Sequence, residues 1–140
     1  MRRQKLLLIT YHFPPSAAVA VYRALGFVRY LPAHEWEVIV VAASDVPYEP
    51  RDPALLELVP KGTTVHYVPY PNTKLHRRLT NYLCYDHWPV VAWPAVAAAI
   101  DRHKPDVVLT TSPPGGVHRL GMWVQSYFKL PWIACMRDPW

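Results

Sequence analysis

The sequence predicts an α/β protein built on a doubly wound parallel sheet, and three observations carry that expectation. Short apolar runs such as LLLIT, EVIVVAA and VVLTT are continuous rather than alternating, as strands covered on both faces are. The segments between them space their apolar residues as helices do. The loops that follow the first and fourth runs carry paired prolines and small residues at a helix start, the composition of tight strand-to-helix connections.

Lys5 to Tyr11 is the first strand, and Pro14 and Pro15 keep the chain extended after it. From Val19 the apolar positions Val19, Val21, Tyr22, Leu25, Val28 and Leu31 fall on one broad helical face, leaving Arg23 and Arg29 on the other, and Pro32 ends the helix. Glu37 to Ala43 is the second strand, so strand, helix and strand form a βαβ unit with a right-handed crossover. Ser44 to Lys61 is rich in proline and charge, with a short helical turn at Pro53 to Leu58, and Thr63 to Val68 is the third strand. After a turn at Pro69 to Asn72, the basic and aromatic stretch Lys74 to Tyr85 reads as a surface helix. Ala92 to His103 is an alanine-rich helix, kinked or started at Pro94 and stopped by Lys104-Pro105. Asp106 to Thr111, Val117 to Phe128 and Pro131 to Met136 complete the pattern as strand, helix and strand.

A chain of 140 residues, 51% hydrophobic and 18% charged, is long enough for a single cored domain. Fifteen Lys and Arg against 10 Asp and Glu leave a charge of +5, which suits an anionic partner and equally a solvated basic surface. Cys84 and Cys135 fit neither a disulfide framework nor a metal-ligand spacing, so a reducing compartment is expected. Arg2, Arg3 and Lys5 ahead of LLLIT imitate a secretory signal, but His12, Pro14 and Pro15 break the apolar run too early for export. A membrane-spanning helix needs about 20 apolar residues. Val90 to Ile100 comes nearest and contains Pro94. The chain stops at Arg137-Asp138-Pro139-Trp140, directly after a strand-like run, which is the expectation for a piece of a longer protein.

Each of the three loops follows a strand, so all three are expected along one carboxyl edge of the sheet, where open α/β folds bind ligands. In the first loop the amides of Ser16, Ala17, Ala18 and Val19 precede or open a helix and can face a phosphate. A plain strand-to-helix connection fits the same residues. The second, Thr111 to Gly116, offers the hydroxyl of Ser112 and the glycines Gly115 and Gly116, with His118 in the first turn of the next helix, where capping and catalysis are both open roles. The third sets Arg137 beside Asp138, either an internal ion pair or a carboxylate within reach of substrate hydroxyls. The sequence contains no G-x-G-x-x-G, no P-loop, no nucleophile elbow and no clustered metal-ligand set, and its aromatics do not alternate with basic residues as a nucleic-acid stacking platform would.

Taken together, ITYHFPPSAAVAVYRALGFVRYLP, Asp86 and Trp93 in YDHWPVVAW, PDVVLTTSPPGGVHRLG and LPWIACMRDPW resemble the N-terminal domain of the family-four glycosyltransferases, retaining enzymes of the GT-B fold. The resemblance covers nearly the whole chain. It implies a Rossmann-like domain over residues 1–140, incomplete at its C-terminus, that forms the acceptor-side half of a GT-B architecture whose donor-binding second domain lies elsewhere. It further implies a nucleotide-sugar donor, a glycan or lipid-linked acceptor, no cofactor or metal, no nucleic acid, and a cytoplasmic location with peripheral contact at the inner face of the membrane. Asp138 is then the reactive-centre residue, Arg137 its electrostatic partner or a phosphate ligand, and Ser16, Ala17, Ala18, Val19, Arg23, Ser112, Gly115, Gly116 and His118 hold donor diphosphate or substrate. Where relatives have a glycine pair, this chain has Ala17 and Ala18, which can still present their amides at negative φ. A different class of function, a non-catalytic binding or membrane-docking module, is offered by the basic and aromatic stretch Lys74 to Trp93 with Arg77 and Arg78.

Overall fold

The computed structural model describes residues 2–83 and 86–137. The predicted fold class is observed. Five strands form one parallel sheet: β1 (Gln4–Thr10), β2 (Trp36–Ser44), β3 (Thr64–Pro69), β4 (Val107–Thr111) and β5 (Trp132–Cys135), in the order β3-β2-β1-β4-β5. Four α-helices connect them: α1 (Val21–Tyr30), α2 (Lys74–Leu83), α3 (Trp88–His103) and α4 (His118–Phe128).

The continuous apolar runs do what their composition requires. In β1, Leu7 and Ile9 join the core under α3 and α4, while Leu6 and Leu8 pack under α1 with Val38, Val40 and Leu109. β1 is therefore buried on both faces, the condition under which a strand loses its polar alternation. Around it, Leu8 pairs with Val40 of β2 on one side and with Leu109 of β4 on the other.

On the α3 side, Trp88 is the largest buried residue; its indole donates to the Val68 carbonyl at 3.1 Å, and the ring of Tyr11 meets it edge-on at 5.4 Å. Asp86 caps α3, its Oδ1 accepting from the Trp88 amide at 3.0 Å. The sheet lies close to α4 because residue 121 is glycine: a Cβ there would come within 1.9 Å of Trp132 Nε1.

Three local expectations are corrected. The first helix starts at Val21 rather than Val19, and Val19 and Tyr22 are exposed at 66% and 60%; the buried face is Val21, Ala24, Leu25 and Val28, a narrower stripe in one cluster with Leu6, Leu8, Val38, Val40 and Leu109. Arg23, assigned to the solvent face, is half-buried, and its guanidinium Nη1 reaches Cys135 Sγ at 2.9 Å. The helix expected from Ala92 begins at Trp88, because Pro89 sits in its first turn, where a missing N–H is harmless, and Pro94 lies within the helix. The stretch Lys74 to Tyr85 is helical over Lys74–Leu83; Cys84 lies outside the described residues, and Cys135 is a free thiol.

Candidate functional site

The strand order reverses between β1 and β4: the chain moves from β1 outward to β2 and β3, then crosses back to β4 and β5 on the other side. The loops after β1 and β4 therefore diverge to opposite faces, α1 on one and α4 on the other, and open a crevice at the carboxyl edge. The loop after β5 emerges beside them. Arg137 is exposed there, and Asp138 lies outside the described residues.

Within the first loop most of the backbone donors are already used. The Ser16 amide donates to the Phe13 carbonyl at 3.0 Å, Ala17 to the Pro50 carbonyl at 2.7 Å, and Ala18 to the Ser16 hydroxyl at 3.3 Å. The amides of Val19 and Ala20 have no acceptor among the described residues. Neither Ala17 nor Ala18 has a positive φ, so alanine fits both positions without strain. The loop is tied to the residues after β2 by the Asp52 amide on the Pro15 carbonyl at 2.8 Å and by a bridge between Ser16 and Arg51, and to β3 by the Tyr67 hydroxyl on the Pro14 carbonyl at 2.5 Å.

The second loop also leaves two amides free. Gly115 and Gly116 open a 3₁₀ turn (Gly115–Val117) that runs into α4, and their amides have no acceptor among the described residues. Residue 116 must be glycine, since a Cβ would stand 2.9 Å from Asp86 Oδ2. The Ser112 amide is held by the Cys135 carbonyl at 3.2 Å, fixing the loop to the end of β5.

His118 follows directly. Thr110 Oγ1 accepts from the Trp132 indole at 2.8 Å and is hydrogen-bonded to His118 Nδ1 at 2.8 Å. Burial holds this imidazole below its ordinary pKa, which keeps it neutral. Its Nε2 is buried with no hydrogen-bond partner among the described residues, an unsatisfied polar atom of the kind a ligand satisfies. Asp86 Oδ2 is likewise buried and without a hydrogen-bond partner.

Two further groups at this edge escaped the sequence reading. His12 Nδ1 is paired with Glu49 Oε1. Burial opposes the charge of Glu49, but hydrogen bonds from His12 and Ser16, with the charges of His12 and Arg51, outweigh it and hold the carboxyl below its usual range. Tyr11 hydrogen-bonds Tyr70, whose hydroxyl lies 2.9 Å from His76 Nε2. Burial first, and then Tyr70, Asp86 and Glu49, push the Tyr11 phenol up, so it is neutral at any ordinary pH. No sequence spacing links residues on loops so far apart. The one available signal was that Tyr11 and His12 lie just beyond a buried strand, at the edge where ligands bind.

A second cavity, of about 470 Å³, opens between α3 and α4 and is lined by Val90, Trp93, Trp123, Ser126 and Tyr127. Among the described residues no group of three or more His, Cys, Asp and Glu could hold a metal ion, and no helix is long and apolar enough to cross a membrane.

No protein-family model and no curated protein matches the sequence. Solved structures do match. The C-terminal domain of a hydrogenase from Pyrococcus furiosus is 15% identical, with a TM-score of 0.65 over 95% of this chain and 92% of that one. The glycotransferase of kitacinnamycin is 18% identical at a TM-score of 0.58, and Phytolacca americana UGT2, solved with UDP-2-fluoro-glucose and pterostilbene, is 14% identical at 0.61. The fold is shared with GT-B glycosyltransferase domains. This chain is covered to 97% and 94% in those two matches but spans only 31% and 30% of the glycosyltransferase chains, one domain's worth of each. At these identities the likeness is one of fold.

Proposed function

We propose that the chain is the acceptor-side domain of a glycosyltransferase that moves a sugar from a nucleotide-sugar donor to a glycan or lipid-linked acceptor. The observation that carries this reading is the set of unsatisfied groups at the switch point: the amides of Gly115 and Gly116, those of Val19 and Ala20, and beside them the buried, unpartnered Nε2 of His118. Oriented N–H groups of that kind stabilise charge developing on a departing diphosphate and cost no reorganisation when it appears. The GT-B neighbours and the motif set that resembles family four support the same reading.

From the resemblance come the finer assignments. Asp138 contacts the transferred sugar or acceptor, Arg137 supports it or binds phosphate, and Ser16, Ala17, Ala18 and Ser112 line the cleft. The commitment of the Ser16, Ala17 and Ala18 amides within their own loop shifts the diphosphate toward Val19, Ala20, Gly115 and Gly116. Arg23, turned to Cys135, joins the first loop to the end of β5 beside Arg137. The resemblance also carries retention of configuration, by a route in which the leaving diphosphate takes the acceptor proton. The full-length protein, which would be cytoplasmic, is expected to hydrolyse or transfer from a nucleotide sugar. Asp138→Ala should abolish transfer while leaving the fold intact by circular dichroism, and full transfer by that variant would remove the central residue from this assignment.

A second reading rests on α2, which carries Lys74, Arg77 and Arg78 with no acidic residue and leaves Leu75 67% exposed. With the aromatic cavity between α3 and α4, this surface fits contact with an anionic membrane. Co-sedimentation with phosphatidylglycerol vesicles, lost on neutralising Arg77 and Arg78, supports it; absence of binding at low salt removes it.

A further inference from the structure

Asp86, in the YDHWPVVAW motif, stands outside the set of groups that holds the diphosphate, and its two carboxylate oxygens are in different states. Oδ1 accepts from the Trp88 amide at 3.0 Å, whereas Oδ2 is buried and has no hydrogen-bond partner among the described residues. A carboxylate oxygen can only accept, so what Oδ2 lacks is a donor. The donors around it are engaged elsewhere. Tyr11 hydrogen-bonds Tyr70, the Tyr70 hydroxyl lies 2.9 Å from His76 Nε2, and Arg119 donates through Nη2 to the Asp86 carbonyl.

The position of this oxygen is well determined. Trp88, two residues on, is fully buried with its indole on the Val68 carbonyl at 3.1 Å, so the start of α3 cannot drift from the sheet. A Cβ on residue 116 would stand 2.9 Å from Oδ2, and only the missing side chain of Gly116 leaves room beside it. That distance places Oδ2 within about 5.5 Å of the Gly116 amide nitrogen, which lies about 2.5 Å from a Cβ on its own residue. The Gly116 amide is one of the free donors assigned to the diphosphate. A negative carboxylate repels the diphosphate itself and suits the donors that border it, the hydroxyls of the sugar that the diphosphate carries.

We propose that Asp86 binds one hydroxyl of the transferred sugar through Oδ2 and thereby selects which sugars are transferred. The assignment rests on the sugar-transfer reading and narrows its substrate class to donors whose sugar keeps a free hydroxyl at the position facing Oδ2. Water does not reach this oxygen. A sugar lacking that hydroxyl therefore leaves a buried acceptor bare, and a site of this kind discriminates against the deoxy analogue.

The test uses full-length protein and reads hydrolysis of UDP-glucose and of its 2-, 3-, 4- and 6-deoxyglucose analogues. In the wild type one of the four should lose about 10- to 10²-fold in kcat/KM against UDP-glucose, the worth of a hydrogen bond to a carboxylate. Asp86→Asn keeps an oxygen for the Trp88 amide and puts an NH₂ donor where Oδ2 stood. It should lose a similar factor on UDP-glucose and less than about threefold more on that one analogue, because the partner of the missing hydroxyl is already gone. Equal losses on the analogue in both proteins overturn the contact. Even tolerance of all four analogues by the wild type overturns it without any variant. Affinity for UDP alone, by isothermal titration, should be the same in Asp86→Asn; a tenfold loss there would mean that Asp86 acts through the Gly116 loop and does not touch the sugar. In each of these cases transfer stands, whereas no hydrolysis of UDP-glucose by the wild type overturns transfer from this donor and the role of Asp86 with it.

Discussion

The loops after β1 and β4 leave adjacent strands at the same edge, and they spend their backbone donors in opposite ways. The first turns three successive amides, Ser16, Ala17 and Ala18, onto its own neighbours and is pinned by the chain after β2 and by Tyr67. The second keeps two glycine amides open and places His118, with a buried and unpartnered Nε2, behind them. Satisfied donors make the first part of that loop a rigid wall; unsatisfied ones, at Val19 and Ala20 and at Gly115 and Gly116, are where a ligand gains hydrogen bonds without first breaking any. Alanine serves in the first for that reason, and glycine is compulsory in the second because Asp86 fills the space a side chain would need.

That contrast can be broken by substitution, beginning beneath the second loop. Gly121→Ala would set a methyl group 1.9 Å from the Trp132 indole, which must move and release Thr110 and with it His118. Overpacking of this kind is expected to cost about 3 kcal/mol and to lower the thermal midpoint by roughly 5–15 °C. A midpoint within 2 °C of wild type, at about the resolution of the measurement, would show that the indole moves freely. Gly116→Ala comes next. Its methyl meets Asp86 Oδ2 at 2.9 Å and Asp86 Cβ at 3.3 Å, loosening the cap of α3, so a loss of about 1–3 kcal/mol in urea unfolding is expected, together with weakened binding of UDP-glucose. Unchanged affinity in isothermal titration would separate the second loop from the ligand.

Acid should act on the α3 side of the sheet. Burial holds His76, His103 and His118 below their ordinary value of 6.5, with His87 adding to the effect at His76 and His66 at His103. The unfolded chain then binds more protons than the folded one below about pH 6.5, so stability falls as pH drops through that value toward the folded pKa values. His66 and His103 share a hydrogen bond between their Nε2 atoms at 3.1 Å, which needs one bare nitrogen. Urea midpoints should decline from pH 7.5 to 5.5, less steeply in His103→Gln, and a flat profile for the wild type would refute this. Glu49, held low, adds its own loss only further into the acid range.

The first loop should give smaller effects. Tyr67→Phe removes the bond to the Pro14 carbonyl and should cost about 1 kcal/mol, read as faster exchange of the Ala17 amide. Ala17→Gly should cost about 0.5–1 kcal/mol through the unfolded chain alone and leave UDP-glucose affinity unchanged. A gain in affinity would mean that this loop opens to the phosphate after all.

Much of the architecture was legible. Continuous apolar runs marked β1, β2 and β4 because strands buried on both faces lose their polar alternation, and the alternation with helices followed from the same requirement. The face of α1 was read too broadly: Val19 and Tyr22 fit the helical period, but the helix starts later and its neighbours leave that flank in water. Arg23 misled in the other direction, because a long cationic side chain can turn back to an acceptor such as Cys135 Sγ that only the packing of β5 beside β4 brings near.

The sequence by itself determined the parallel sheet and the loops that follow its strands, since hydrophobic period is a local property. Only the tertiary structure decided which amides of those loops stay free, that His118 meets Thr110, and that Glu49 stands behind His12. Those are contacts between residues far apart in the chain. No local pattern encodes them, because each depends on where the sheet delivers the ends of its strands.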